Sequence, residues 1–116
     1  MSMPSPDNPR PRPDLLPGTL ELLILRTLDA EPMHGYAIAQ HLRKLSRDAL
    51  RVEEGSLYPA LQRMLVKGWV TAVWRKSATN RRTRVYSLTA AGRRQLGEAR
   101  EQFQVMFTAI ARVMKG

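Results

Sequence analysis

Between Gly55 and Gly97 the chain holds Arg63, Lys67, Arg75, Lys76, Arg81, Arg82, Arg84, Arg93 and Arg94, and no Asp or Glu. Beside this cationic excess stand Gln62 and Arg63, side chains able to form bidentate hydrogen bonds to the edges of adenine and guanine. The chemistry on offer is recognition of a polyanion rather than the making or breaking of bonds. The whole chain of 116 residues carries a net charge of +9, from 19 basic and 10 acidic residues. Outside the stretch the charges balance, so the excess is concentrated in one place, the electrostatic footprint of a polyanion partner.

Other chemistries lack their residues. There is no cysteine, which removes disulfides, thiol catalysis and thiolate metal sites. His34 and His41 are seven positions apart with no accompanying carboxylate, so capping or a surface role is expected of them and no metal. No Walker loop, H-E-x-x-H or G-x-S-x-G motif is present, and the adjacent Glu53 and Glu54 diverge on a helix. No enzyme and no cofactor is expected. Hydrophobic residues make up 43% and charged residues 25%, ordinary values for one soluble globular domain. No apolar run approaches the ~20 residues that span a bilayer. The N-terminus lacks the apolar centre of a signal peptide, so a cytoplasmic protein is expected.

The elements that must position these side chains follow from periodicity. From Glu53 to Trp69, Leu57, Leu61, Met64 and Leu65 recur at i, i+4, i+7 and i+8, one apolar stripe on a helix. Ser56, Pro59, Gln62, Arg63 and Lys67 lie on the other side. Gly68 falls where a left-handed C-terminal cap belongs. Pro59 leaves two possibilities: a first turn capped by Ser56, or a helix starting near Glu53 that loses a hydrogen bond. Either way an irregular first turn is expected. Upstream, helix one begins at Thr19, with Glu21 in its first turn, and ends before Pro32. Leu20, Leu23, Ile24 and Leu28 make one face, widened by Leu22 and Leu25. Helix two runs from about Gly35 to Leu45 with Ile38, Leu42 and Leu45 inward.

Downstream, residues 69–74 and 85–88 alternate as two strands. The link from Ser77 to Arg82 lacks Asn-Gly or Asp-Gly, which predicts a longer, mobile tip. Three helices followed by a basic hairpin are winged-helix order, the hairpin being the wing. Thr89 can cap a last helix reaching about Met114. On it Leu96, Phe103 and Ile110 are spaced by seven, as are Ala99, Met106 and Val113, an a/d seam with Phe107 beside it. At 1.5 Å per residue this helix is about 40 Å long, more than a small domain covers. Dimerisation through the seam is expected, because otherwise it is a large exposed apolar patch. Residues 1–14, with five of the eight prolines, read as a disordered tail from which Arg10 and Arg12 are able to reach a minor groove. The fold class is thus mainly α with a small β-hairpin: a winged helix-turn-helix over 15–89 and a dimerisation helix over 90–116.

Three runs carry a resemblance: His34-Gly35-Tyr36-Ala37-Ile38, Gly55-Ser56-Leu57-Tyr58-Pro59-Ala60-Leu61, and Arg84-Val85-Tyr86-Ser87-Leu88-Thr89-Ala90-Ala91-Gly92. In this order and spacing the chain resembles the PadR-type transcriptional regulators, in the short branch with a single C-terminal helix. The likeness covers roughly 16–113. It implies a homodimeric repressor whose last helix packs against the partner's N-terminal region. It also implies DNA contacts from Ser56, Tyr58, Pro59, Gln62 and Arg63 on the central helix and from Arg81, Arg82 and Arg84 on the wing; Lys67, a cation on the same side of the helix, joins the DNA-binding candidates. Some relatives bind planar aromatic compounds through a tryptophan on the last helix. Here the tryptophans are Trp69 and Trp74 and none follows Gly92, so a small-molecule inducer has no support in the sequence.

Gln62 and Arg63 are the base-reading candidates. Arg81, Arg82 and Arg84 are assigned to phosphate or minor groove, where contacts position without specifying sequence. Tyr58 is assigned to phosphate, Tyr86 to the wing core, and Trp69 and Trp74 to packing within the hairpin. The partner is then double-stranded DNA, bound at a pseudo-palindromic operator. The rival is a winged helix docking onto an acidic protein, which predicts no palindromic site. A membrane-surface role is disfavoured, since Glu98 and Glu101 flank the strongest apolar seam.

Overall fold

The computed structural model describes residues 18–116; the Pro-rich tail with Arg10 and Arg12 lies outside the described residues. The elements are α1 (Thr19–Ala30), β1 (Met33–His34), α2 (Gly35–Leu45), α3 (Glu54–Val66), β2 (Val70–Lys76), β3 (Arg82–Leu88) and α4 (Ala90–Lys115). The three strands form one antiparallel sheet in the order β1-β3-β2. This is a winged helix with an added long helix, and it is mainly helical, as the periodicity predicts. Among the described residues no helix is long and apolar enough to cross a membrane.

The core is made where the apolar stripes meet. Leu20, Ile24, Leu25 and Leu28 of α1, Ile38 and Leu42 of α2, and Leu57, Ala60, Leu61 and Met64 of α3 close on one another. Met33, Val70, Tyr86 and Leu96 seal the sheet and α4 onto them. Each large side chain fully buried here contributes roughly 1.5–3 kcal/mol. Thr27, the buried polar residue of this core, donates its hydroxyl hydrogen to the Leu23 carbonyl at 2.8 Å.

Two expectations are corrected. Leu45 is 69% exposed rather than inward. The core ends at Leu42, and the chain then turns away through Arg47 and Asp48, both with positive φ. Met33 and His34 form a third strand, paired as Met33↔Tyr86 and His34↔Val85. Two residues beside Pro32 are too few to show alternation in a sequence. The tip of the wing, residues 77–81, is longer than a two-residue turn, as expected, and is hydrogen-bonded within itself. The Asn80 N–H donates to the Ser77 carbonyl at 2.9 Å and the Ser77 N–H to the Arg81 carbonyl at 2.7 Å. Asn80 takes the left-handed conformation, φ 64°, that a glycine would supply in the commoner signature.

The C-terminus of α3 and the start of α4 are built as one joint. Gly68, at φ 76°, closes a Schellman cap: its N–H donates to the Leu65 carbonyl and that of Trp69 to the Met64 carbonyl. The Thr89 hydroxyl donates to the Gly68 carbonyl at 2.6 Å and accepts from the Gly92 N–H at 3.0 Å, capping α4 as predicted. The Thr89 N–H reaches the Trp69 carbonyl. A Cβ on Gly92 would run into that same carbonyl oxygen. Helix α4 therefore leaves the domain from a fixed point, and α1 packs along its first turns.

Candidate nucleic-acid interface

Helix α3 presents two unlike sides. Leu57, Ala60, Leu61 and Met64 are buried, while Ser56, Tyr58, Pro59, Gln62, Arg63 and Lys67 are exposed. Its N-cap is Glu53, without a side-chain cap bond, so Pro59 lies inside the helix and not in a Ser56-capped first turn. The Glu53 carbonyl accepts from both Ser56 and Leu57 N–H groups, at 3.0 and 2.9 Å. Pro59 has no N–H to return to Gly55. The first turn is ordinary α-helix, contrary to the irregular one expected, because Pro59 falls past it.

The exposed side chains divide by what they touch. Gln62 makes no hydrogen bond to another described residue, so its amide is open to a base edge. Arg63 is engaged: its Nη2 and Nε donate to Glu21 Oε1 at 2.7 and 3.2 Å, bridging α3 to α1. The Glu21 side chain is only 16% exposed. Lys67 folds back with Nζ 4.6 Å from the centre of the Trp69 ring, lining a hollow with Glu21, Gln95 and Ala99. Tyr58 stands against the start of α2, where a Cβ on Gly35 would lie 2.8 Å from its ring. Burial, then Glu54 and Tyr86, raise its hydroxyl above the usual 10.0. It stays a protonated donor, the state needed to bond a phosphate oxygen.

Tyr58 also joins the helix to the wing. With His34, Tyr36, Trp74, Arg82 and Arg84 it lines a cleft of about 420 Å³. Trp74 pairs across the hairpin with Arg84. Arg82 and Arg84 lie over its indole, their Cζ atoms 5.1 and 5.9 Å from the ring centre. Tyr86 is buried in the root of the wing, as predicted. Trp74 makes the cross-strand contact expected of it, with Arg84, yet stays 59% exposed. The sequence reading missed this stack because it began the second strand at Val85, leaving Arg84 outside the pairing that sets it opposite Trp74. Arg81 is exposed at the tip, its N–H donating to Ser77 Oγ.

His34 caps α2, its Nδ1 accepting from the Ala37 N–H at 3.2 Å. Among the described residues no group of three His, Asp or Glu is placed to hold a metal.

On α4 the predicted seam splits. Leu96 is buried in its own domain, locked there by the Thr89–Gly92 joint, and so leaves the dimerisation set. Ala99 is half-buried. Phe103, Met106, Phe107, Ile110 and Val113 are all exposed, and the Phe103 and Phe107 rings stack at 6.0 Å.

A family profile described as the transcriptional regulator PadR-like family matches residues 24–98. A PadR-like transcriptional regulator from Bacillus cereus is 28% identical, with 85% of this chain and 94% of that one covered and a TM-score of 0.73. A PadR family transcription regulator from Clostridium difficile R20291 is 25% identical over 84% of this chain and 99% of its own, with a TM-score of 0.73. A PadR family transcriptional regulator from Eggerthella lenta is 28% identical over 84% of this chain and 82% of its own, with a TM-score of 0.71.

Proposed function

Because the chain belongs to the PadR-like family, and is therefore a DNA-binding transcriptional regulator and not an enzyme, we propose that it acts in the cytoplasm as a homodimeric repressor on a pseudo-palindromic operator. One observation carries this reading: the acid-free stretch of sequence folds into the exposed side of α3 and the wing beside it, joined at Tyr58. The N-terminal half of α3 enters the major groove with Ser56, Pro59 and Gln62 forward. Tyr58, Arg81, Arg82 and Arg84 take the flanking backbone. The exposed apolar run from Phe103 to Val113 is covered by a second copy, whose α1 and α4 supply the matching surface. Two-fold symmetry then sets the half-sites one or two helical turns apart, each turn about 34–36 Å.

Light scattering on the purified chain, followed by selection of bound fragments from the source genome, tests this. A dimeric mass and recovered fragments sharing an inverted repeat are expected. A monomer, or indifference to every duplex at low ionic strength, overturns it. Binding to an acidic protein with no response to added DNA would favour the docking module instead.

A further inference from the structure

Trp74 is a large aromatic side chain left 59% exposed on the outer part of the wing. A hairpin root needs an apolar residue, and Tyr86 already fills that role. What Trp74 touches is two guanidinium groups. Arg82 and Arg84 both lie within about 6 Å of its ring centre, the range in which the ring quadrupole attracts a cation. Arg84 is held from a second side, with its Cζ 5.8 Å from the Tyr86 ring. Its Nε is the one buried side-chain nitrogen or oxygen among the described residues without a hydrogen-bond partner. That nitrogen is closed to solvent, so an anion would be bonded through the remaining N–H groups of a guanidinium whose charge no protein acceptor offsets there.

We propose that Trp74 is a positioning residue for DNA-backbone binding: it holds Arg82 and Arg84 in one arrangement, so that the pair meets phosphodiester oxygens already ordered. The proposal rests on the DNA-binding reading above. Free arginine side chains lose rotamer freedom when they bind, and a residue that removes this loss beforehand strengthens binding without adding charge. The ring supplies order, and the number of ionic contacts stays the same.

The test is binding of the full chain to a mixed-sequence duplex about three helical turns long, between about 50 and 200 mM salt. Trp74→Leu should weaken binding about 10-fold while the slope of log K against log salt stays unchanged. In an Arg82→Ala, Arg84→Ala background the same substitution should cost almost nothing, because its effect passes through those residues. Trp74→Tyr and Trp74→Phe should fall between, in that order, following the strength of the cation–aromatic contact; this series also serves if the leucine variant does not fold. Unchanged affinity in Trp74→Leu overturns the proposal alone, with wild-type binding intact. So does a loss that persists in full without the two arginines, since the ring would then touch DNA itself. A wild-type chain that binds no duplex overturns this proposal and the functional reading together.

Discussion

The basic residues of α3 and those of the wing come from the same acid-free stretch, yet the fold uses them in opposite ways. Arg63 bonds the carboxylate of Glu21, while Lys67, just past the end of the helix, keeps its charge over the Trp69 ring. Arg82 and Arg84 lie on Trp74. A carboxylate cancels the charge it orders, whereas an aromatic face orders a cation and leaves its charge uncompensated. The uncompensated charge available to DNA is therefore weighted toward the wing. The C-terminal half of α3 serves as a tie to α1.

Removing both wing arginines strikes the stronger side of this contrast. Arg82→Ala with Arg84→Ala should lower affinity for any duplex on the order of 100-fold and flatten the salt dependence by about two ionic contacts; a titration over a range of salt measures both. Gln62→Ala comes next. It should cost about 1–3 kcal/mol at one operator base pair and leave variants already altered there unaffected, which gel shifts against an operator series would reveal.

Arg63→Ala should act on folding more than on binding. The pair it breaks has a solvent-exposed arginine, so about 1 kcal/mol of stability is expected to be lost, with duplex affinity changed less than about threefold. Thermal melts of Arg63→Ala, Glu21→Gln and the double variant should be sub-additive. Loss of discrimination at a single base pair would return Arg63 to the reading surface. The smallest effect is at high pH. The Tyr58 hydroxyl is held above 10.0 in the folded chain, so above that pH the unfolded chain releases this proton first and stability falls as pH rises. Tyr58→Phe should remove that part of the decline in a melt series.

Much of the fold was legible because its elements are periodic or punctuated. The apolar spacing of Leu57, Leu61 and Met64, the cap at Thr89 and the glycine at 68 each state a local rule that the structure obeys. The functional surface was legible as a region but not residue by residue. Arg63 and Gln62 are neighbours of similar promise, and only the position of Glu21 on another helix separates them. Leu96 fits a heptad seam as well as Phe103 does, until the closeness of α4 to the Trp69 carbonyl draws it inward. Each miss is a case where a tertiary contact chose among residues that the local pattern treats alike.

The joint of Gly68, Trp69, Thr89 and Gly92 makes α4 a lever arm whose pivot is welded to the end of the DNA-facing helix. From Gly92 the arm runs about 35 Å to its end, so a tilt of about 5° at the pivot sweeps that end through about 3 Å. Whatever grips that far end accordingly governs the aim of α3, each ångström of displacement there answering to a tilt of about 1.7°.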